Sequence, residues 1–443
     1  SVNTDLVNGR RLERKHGRIL KNCDAFDYIV YTGKRWEKSN KNALQLALSI
    51  GLDMRIESAT ISDGDVAQKL FKAGLRAESV NGAKATLEAA AGLPGINGNH
   101  IEWDAAPYLL NCPNGTVDLR NGTLRPHSPE DYITQITAVD FIPGAPCPVW
   151  LEFLNQVFDG DQYMIAYLKR FSGYCATGDT SLQILGLMYG PKGSGKTTIT
   201  DAVNGILGDY GHAMDSETLM THRNRQHPCD IAMLRGKRLG ICGENPVGRE
   251  MNAGLVKSIS GGDTQNARLM KENNFNFRHT IKLLFHTNHK PVIRDDNGGM
   301  WRRLRMIPFE RSFADNPDPA LPAKLKEEWP GILRWIVEGA IEHFEFGELK
   351  PLPDKISTAG KEYEREQNQL ESFIEAECEV LPQLAVAKAA LYERYVKFCG
   401  GRCENQAEFC KRLVLRGGIE EGRLRHGVRA LKGIGLAGDR PDE

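Results

Sequence analysis

Apolar and polar positions recur with two different periods along the chain, and the changes of period mark the predicted elements. The run AFDYIVYTGKRW at 25–36 alternates and predicts a β-hairpin with its turn at Thr32-Gly33. Helical spacing follows over about 40–58 and 64–91. Residues 108–134 contain two Asn-Gly pairs, which are typical of tight turns, so this stretch predicts short strands.

The middle of the chain alternates between buried strands and helices. Residues 149–174 have helical spacing, and the apolar run SLQILGLMYG at 181–190 predicts a buried strand. Strand and helix signals then alternate to about residue 310, which predicts an α/β fold with a largely parallel sheet. Helical segments follow over 320–346.

The last part of the chain is mostly helical and becomes basic. An acidic helix with seven glutamates between residues 362 and 379 precedes helices at about 386–398 and 405–416. A glycine-rich hairpin ends the pattern, and three helices with a two-stranded wing are the outline of a winged helix. Seven Lys or Arg against two Glu between 411 and 432 favour contact with DNA phosphates over a plain packing domain.

Two proline-rich stretches predict domain boundaries. At 443 residues the chain is too long for one hydrophobic core. FIPGAPCP at 141–148 and LKPLPDKI at 349–356 are therefore expected to separate three units. The expected units are 1–145, then 146–350 with a helical collar over 146–180 and an α/β core over 181–350, and finally 355–443.

Composition narrows the picture only slightly. Hydrophobic residues make up 41% and charged residues 26%, as in soluble globular proteins, and no apolar run is long enough to suggest a membrane span. Because 57 basic residues balance 57 acidic ones, an anionic partner must be recognised by local patches. The ten cysteines contain no CxxC pair and predict free thiols in a cytoplasmic protein. The group formed by Cys399, Cys403, Cys410 and His426 fits zinc spacings poorly, so buried thiols are favoured.

The stretch GPKGSGKTT at 190–198 carries the clearest chemistry. It has the spacing of a phosphate-binding loop, follows a predicted strand and opens a predicted helix. Glycines let successive N–H groups face one anion, and the helix adds the positive end of its dipole. The sequence therefore predicts an ATP and Mg²⁺ site, with Lys196 on the phosphates and Thr197 on the metal. The candidate binding residues are Gly190, Pro191, Lys192, Gly193, Ser194, Gly195, Lys196, Thr197 and Thr198.

Residues further along could complete an ATPase. The strand in GKRLGICGEN ends in an acid, Glu244, and the next strand, IKLLF, is followed by Asn288. An acid near the metal and an amide near the γ-phosphate are recurring parts of such sites. Arg302 and Arg303 then offer guanidinium groups, which suit a phosphoryl transition state. Surface residues without a role are the simpler alternative for Asn288 and the arginines.

Between the acid and the amide, NARLMKENNFNFRH at 266–279 alternates around a polar centre and predicts a hairpin. A basic residue at its tip could hold a backbone phosphate of DNA. Taken by themselves, these residues are more typical of an ordinary hairpin. The candidate DNA contacts are Arg268, Lys271 and Asn273.

Together these motifs resemble the superfamily III helicases. More narrowly, they are similar to the phage and plasmid primase-helicase family that includes satellite-phage primases and the poxvirus enzyme. LLNCPNGTVDLRNGTLRPHSPEDYIT and PVWLEFLNQVFDGDQYMIAYLKRFSGYCATGD are similar to the region before the motor in that family, and the C-terminal acidic helix and basic hairpin to its winged-helix domain. The resemblance implies a P-loop AAA+-like core in a ring, usually a hexamer. It also implies ATP bound between subunits and 3′→5′ movement along single-stranded or forked DNA.

The resemblance also implies roles for residues. Lys196 and Thr197 match the phosphate-loop motif, and Glu244 matches the Walker B acid. Lys271 matches the hairpin lysine and Asn288 the sensor. Arg303 is the first candidate for an arginine finger and Arg302 the second. One departure is that Asn245 and Pro246 follow Glu244 where a second acid is common, so Asp230 or Glu250 could assist.

Two further functions remain open from the sequence alone. The same loop could serve an ATP-switched DNA-binding initiator or scaffold that does not unwind processively, or a small-molecule kinase. The Asn after a buried strand and the paired arginines speak against the kinase. Because residues 1–145 show no paired-acid polymerase signature, the chain is expected to be the helicase portion of a longer replication protein with a primase or polymerase domain.

Overall fold

The computed structural model of the chain describes residues 4–221, 231–243, 249–267, 275–293, 298–400, 403–424 and 427–438. Within these residues the fold comprises an N-terminal α/β unit, a small antiparallel sheet, a parallel sheet between helices, and a C-terminal helical unit. None of the described helices is long and apolar enough to cross a membrane.

The N-terminal unit packs helices on a three-stranded sheet. Its elements are α1 (Asp5–His16), β1 (Leu20–Cys23), β2 (Asp27–Tyr31), β3 (Trp36–Lys38), α2 (Asn40–Ser58), α3 (Gly64–Ala77) and α4 (Val80–Ala91). The strands β2 and β3 pair antiparallel around Gly33, whose φ of 96° requires glycine, so the predicted hairpin is confirmed.

The long helix predicted over 64–91 is two helices. Ser79 is extended, with φ −74° and ψ 151°, and its hydroxyl accepts a hydrogen bond from the Gly82 N–H at 3.0 Å. A serine that caps the next helix in this way ends the helical path before it. The apolar periodicity continues through the break because α3 and α4 pack into the same core.

A second sheet consists of β4 (Leu109–Cys112), β5 (Gly115–Asp118) and β6 (Thr123–Arg125), in antiparallel order as the turn signals predicted. Its side chains Leu110 and Val117 share a buried cluster with Trp150, beyond the proline-rich stretch at 141–148. Side chains from Leu12 to Ile96 form a separate cluster. The proline-rich stretch therefore connects parts of one core, and the break between cores lies before residue 109.

The parallel sheet has the strand order β13-β7-β12-β9-β8 and is parallel throughout, which confirms the α/β prediction. Its strands are β7 (Leu185–Tyr189), β8 (Gly211–Met214), β9 (Leu239–Cys242), β12 (Lys282–Thr287) and β13 (Leu304–Pro308). Helices α5 (Pro148–Val157), α6 (Gln162–Ala176), α7 (Lys196–Leu207), α8 (Ala253–Gly261), α9 (Gly299–Arg303), α10 (Leu321–Glu327) and α11 (Trp329–Phe346) accompany it. The strands β7 and β9 are buried apolar runs, as expected where both faces of a parallel sheet are covered.

The C-terminal elements are α12 (Asp354–Glu377), β14 (Cys378–Glu379), β15 (Ala385–Ala387), α13 (Lys388–Phe398), α14 (Gln406–Leu415), β16 (Glu420–Arg423), β17 (Arg429–Lys432) and β18 (Gly435–Leu436). The order of helices and hairpin is the expected one, with β15 added as a third strand beside β17. The winged-helix assignment stays a prediction. Tyr363 of α12 belongs to the core of the parallel sheet, while Phe373 of the same helix belongs to the C-terminal core.

Candidate nucleotide-binding site

The loop between β7 and α7 has the shape that the glycine spacing predicted. Gly193 and Gly195 have φ values of 73° and 90°, which side chains rarely adopt. At Gly190 an added Cβ would lie 2.0 Å from the carbonyl oxygen of Phe309, so only glycine fits. Gly195 is the N-cap of α7 and offers no side-chain cap to the first helical turn. Such a loop and helix start fit a chain of phosphates.

Lys196 and Asn288 meet at this loop although 92 residues separate them. The Lys196 Nζ donates to Asn288 Oδ1 at 2.9 Å, to Ser194 Oγ at 2.9 Å, and to the carbonyl oxygens of Gly190 and Pro191 at 2.8 Å each. Lys196 is only 6% exposed. Because β12 lies directly beside β7 in parallel, both strands deliver their following residues to the same edge of the sheet.

The Thr197 side chain is exposed at the start of α7, where a hydroxyl can reach a metal ion held by phosphates. Its expected partner Glu244 lies outside the described residues, as does the alternative acid Asp230. Strand β9, which precedes Glu244, pairs with the other side of β12. Glu250 is half-buried, and its backbone forms an isolated bridge with Val292, four residues after Asn288.

The hairpin before β12 is present, which confirms the predicted pairing. Strand β10 (Thr264–Ala267) pairs antiparallel with β11 (Phe275–Arg278). The candidate DNA contacts at its tip, Arg268, Lys271 and Asn273, lie outside the described residues. Their role stays a prediction.

The two arginines have different surroundings. Arg303 is 7% exposed, and its guanidinium donates to Gly299 O at 2.9 Å and to Gln183 Oε1 at 2.7 Å within the same chain. Arg302 is exposed. Both precede Leu304, which pairs with Leu185 at the start of β7. They therefore lie at the edge of the sheet opposite Lys196, about 13 Å away along the strands.

Contacts from the segment after β13 also shape the loop, and the sequence reasoning missed them. The Ser312 hydroxyl donates to Lys192 O at 2.8 Å, and the Phe313 N–H donates to Gly193 O at 2.9 Å. In the sequence, the only sign of these contacts was that the two residues closely follow a predicted strand. In the fold, that strand lies beside β7. That adjacency is not visible without the strand order.

The nine cysteines in the described part of the chain have free thiols. No group of three or more His, Cys, Asp or Glu side chains within that part is arranged to hold a metal ion. His426, the fourth member of the weak zinc candidate, lies outside it.

Two known families match the chain. Residues 9–159 match the family described as D5 N terminal like, and residues 188–303 match a family of unknown function, DUF5906. The second match includes Lys196, Asn288, Arg302 and Arg303.

Named relatives come from large DNA viruses. A "Putative helicase" of Acanthamoeba polyphaga mimivirus is 27% identical over 230 residues, which are 51% of this chain and 24% of the relative. A "Putative primase" of African swine fever virus is 26% identical over 274 residues, which are 59% of this chain and 28% of the relative. The chain thus spans about a quarter of the length of these relatives. These relatives and the two family matches confirm the resemblance to the primase-helicase family.

Among solved structures, the apo C terminal region of NrS-1 covers 98% of this chain and 100% of its own, with 10% identity and a TM-score of 0.46.

Proposed function

We propose that this chain is the ATP-driven motor of a DNA replication protein, which forms a ring and moves 3′→5′ along single-stranded DNA. The observation that carries the proposal is the contact between Lys196 and Asn288. A phosphate-loop lysine that meets an amide from the neighbouring strand places a charge and a neutral hydrogen-bonding group around one phosphate position.

In this proposal each side chain has a separate task. Lys196 donates to phosphate oxygens, and Asn288 orients the attacking water or the γ-phosphate. Thr197 and Glu244 are the proposed holders of Mg²⁺, which supplies positive charge to the phosphate oxygens when bound. Because Ser194 and Lys196 are buried, bulk water is excluded from their side of the phosphates.

The positions of the arginines support a shared site between subunits. An arginine at the opposite edge of the sheet cannot reach the phosphates of its own chain, but it can face those of a neighbour in a ring. The exposed Arg302 suits this role better than Arg303, whose guanidinium is bonded inside its own subunit. The proposed ring is a hexamer. Imaging of the protein with ATP and single-stranded DNA would test this number of subunits.

The hairpin and the relatives support single-stranded DNA as the polymer along which the proposed motor moves. The hairpin β10–β11 immediately precedes the strand that carries Asn288, so its tip is suited to follow the state of the nucleotide. Arg268, Lys271 and Asn273 are the proposed contacts with the DNA backbone, whose affinity should fall with rising salt. A primase or polymerase domain in the same polypeptide accords with the much greater length of the relatives.

The test is ATP hydrolysis with and without single-stranded DNA, together with unwinding of a forked duplex. Lys196→Ala should abolish hydrolysis, because Lys196 supplies the buried positive charge beside Asn288, whereas the other lysine of the loop, Lys192, is exposed. Lys271→Ala should keep basal hydrolysis but lose stimulation by DNA and unwinding. Wild-type turnover in Lys196→Ala would refute the site. ATP hydrolysis without any unwinding by the wild type would favour an ATP-switched initiator or scaffold instead.

A further inference from the structure

The four residues after β12 connect the candidate nucleotide site to helix α12. Asn288 accepts from Lys196 at 2.9 Å. Two residues later, the Lys290 Nζ lies 2.8 Å from Glu366 Oε2 of α12. The carbonyl oxygen of Pro291 then accepts a hydrogen bond from the buried hydroxyl of Tyr363, also in α12.

This connection has little freedom to bend. The Thr287 hydroxyl is fully buried, donates to His289 O at 2.8 Å and accepts from the His289 N–H at 3.0 Å. Pro291 has a fixed φ. Because local side-chain bonds and the proline ring restrict the path, a displacement at Lys290 or Pro291 must also move Asn288.

Two aromatic rings lie close to the Lys290 ammonium group. Its Nζ lies 5.2 Å from the ring centres of both Tyr189 and Tyr363, a distance at which a cation is attracted by the ring faces. Tyr189 directly precedes Gly190, the first residue of the phosphate loop. Burial raises the pKa of Tyr363 well above its ordinary value, so its hydroxyl stays protonated and donates the hydrogen bond to Pro291 O.

The C-terminal unit also contacts α12. Arg412 of α14 donates to the backbone oxygen of Glu366 at 2.5 Å, and Arg416 contacts the Glu371 carboxylate at 3.1 Å. A cleft of about 1160 Å³ is lined by Asn288 and Lys290, by α12 and by α14. Helix α12 thus contacts both the loop after β12 and the C-terminal unit.

We propose that Lys290, Tyr363 and Glu366 are positioning residues that hold Asn288 against Lys196. The docking of the C-terminal unit on α12 thereby controls the rate of the nucleotide site. This inference rests on the proposed ATPase function. None of the three residues needs to touch the nucleotide, so their loss should lower kcat and leave nucleotide affinity nearly unchanged.

Steady-state hydrolysis measures kcat, and binding of a fluorescent ATP analogue measures nucleotide affinity. Glu366→Gln and Lys290→Met should lower kcat about tenfold with less than about a twofold change in affinity, because a small misplacement of a catalytic group has a large effect on rate. Lys290→Arg should retain turnover. The charge-swapped double variant Lys290→Glu with Glu366→Lys should recover much of the loss. Glu57→Gln, which removes the ion pair with Arg11 in the N-terminal unit at similar exposure, is the matched control and should behave as wild type.

Hydrogen exchange without nucleotide tests the contact independently of activity. Amides of residues 287–293 and 190–196 should exchange faster in Glu366→Gln than in Glu57→Gln, at equal thermal midpoints. Equal exchange in the two variants, or full turnover in Glu366→Gln, would overturn the inference. A wild-type protein that binds but does not hydrolyse ATP would count against the proposed function, and the exchange comparison would still decide the positioning role.

Discussion

His279 is fully buried at the foot of the β10–β11 hairpin. One ring nitrogen, Nε2, lies 2.9 Å from Gln265 Oε1, and Nδ1 has no hydrogen-bond partner among the described residues. Burial lowers the pKa of His279 from 6.5 to about 4. A proton on this imidazole would therefore be bound more readily by the unfolded chain than by the folded one.

The unfolding free energy should depend on pH because His279 has a lower pKa in the folded chain. Above pH 6.5 the ring is neutral in both the folded and the unfolded chain, so it does not change the unfolding free energy. As pH decreases from 6.5 toward 4, the unfolded chain binds the proton and the folded chain does not, so the unfolding free energy falls. Between pH 7.5 and 5 the wild type should lose about 2 kcal/mol more unfolding free energy than His279→Gln. Urea unfolding at several pH values measures this difference. His100→Gln, at an exposed position, should follow the wild type; parallel curves for wild type and His279→Gln would contradict the account.

At the scale of elements, the direction of the strands separates the site into two halves. Lys196 and Asn288 follow the carboxyl ends of β7 and β12, whereas Arg302 and Arg303 precede the amino end of β13. All three strands are parallel, so the two halves lie at opposite edges of one sheet. In the proposed motor, an arginine finger from this end of the sheet would therefore be supplied by a second copy of the chain.

The two arginines should respond differently to the same substitution. Arg303→Ala removes a buried hydrogen-bonding group from Gln183 and Gly299 and should lower the unfolding free energy by about 2 kcal/mol. Arg302→Ala should leave the thermal midpoint unchanged, bind ATP and fail to hydrolyse it.

Mixing experiments complete this comparison. Subunits with Arg302→Ala retain an intact phosphate loop, and subunits with Lys196→Ala retain the arginine, so mixed rings should recover part of the turnover. Full activity of Arg302→Ala alone, or no recovery at any mixing ratio, would exclude Arg302 as a finger supplied by a neighbour.

At the scale of the whole molecule, Arg238 joins three parts of the chain. It is 3% exposed and donates to Ala176 O at 2.8 Å, to Leu109 O at 2.7 Å and to Ala106 O at 3.2 Å. Its guanidinium also lies 4.4 Å from the ring centre of Tyr210. These bonds connect the end of α6, the start of β4 and the residues just before it to the start of β9.

Arg238→Met should loosen this junction. The substitution roughly keeps the length of the side chain but leaves the buried Ala176 O and the partly buried Ala106 O and Leu109 O without this donor, which should lower the unfolding free energy by about 3 kcal/mol. Thermal unfolding followed by circular dichroism measures the shift. Arg120→Met, at a surface pair with Asp118, is the control and should not move the midpoint. Equal midpoints for the two variants would show that the junction does not depend on Arg238.

Local sequence patterns predicted individual helices and strands better than they predicted which of these elements share one hydrophobic core. Gly33 marked a real hairpin, and the apolar run before Gly190 formed the expected strand. The break at Ser79 was missed because one side-chain hydrogen bond outweighed continuous periodicity. The prolines at 141–148 suggested a boundary, yet Leu110 and Trp150 pack in one core, since proline signals a surface connection and not the limit of a core.

The sequence by itself determined the glycine-rich loop after β7, the strand before it and the amide that follows β12, because each depends on residues close together in the chain. Only the tertiary structure decided which of these residues meet. The contact between Lys196 and Asn288 requires β12 beside β7, and the pair Lys290 and Glu366 requires α12 to pack against the loop after β12. Burial of Arg303 and exposure of Arg302 likewise follow from the packing of α9 at the sheet edge, which neighbouring arginines in a sequence cannot reveal.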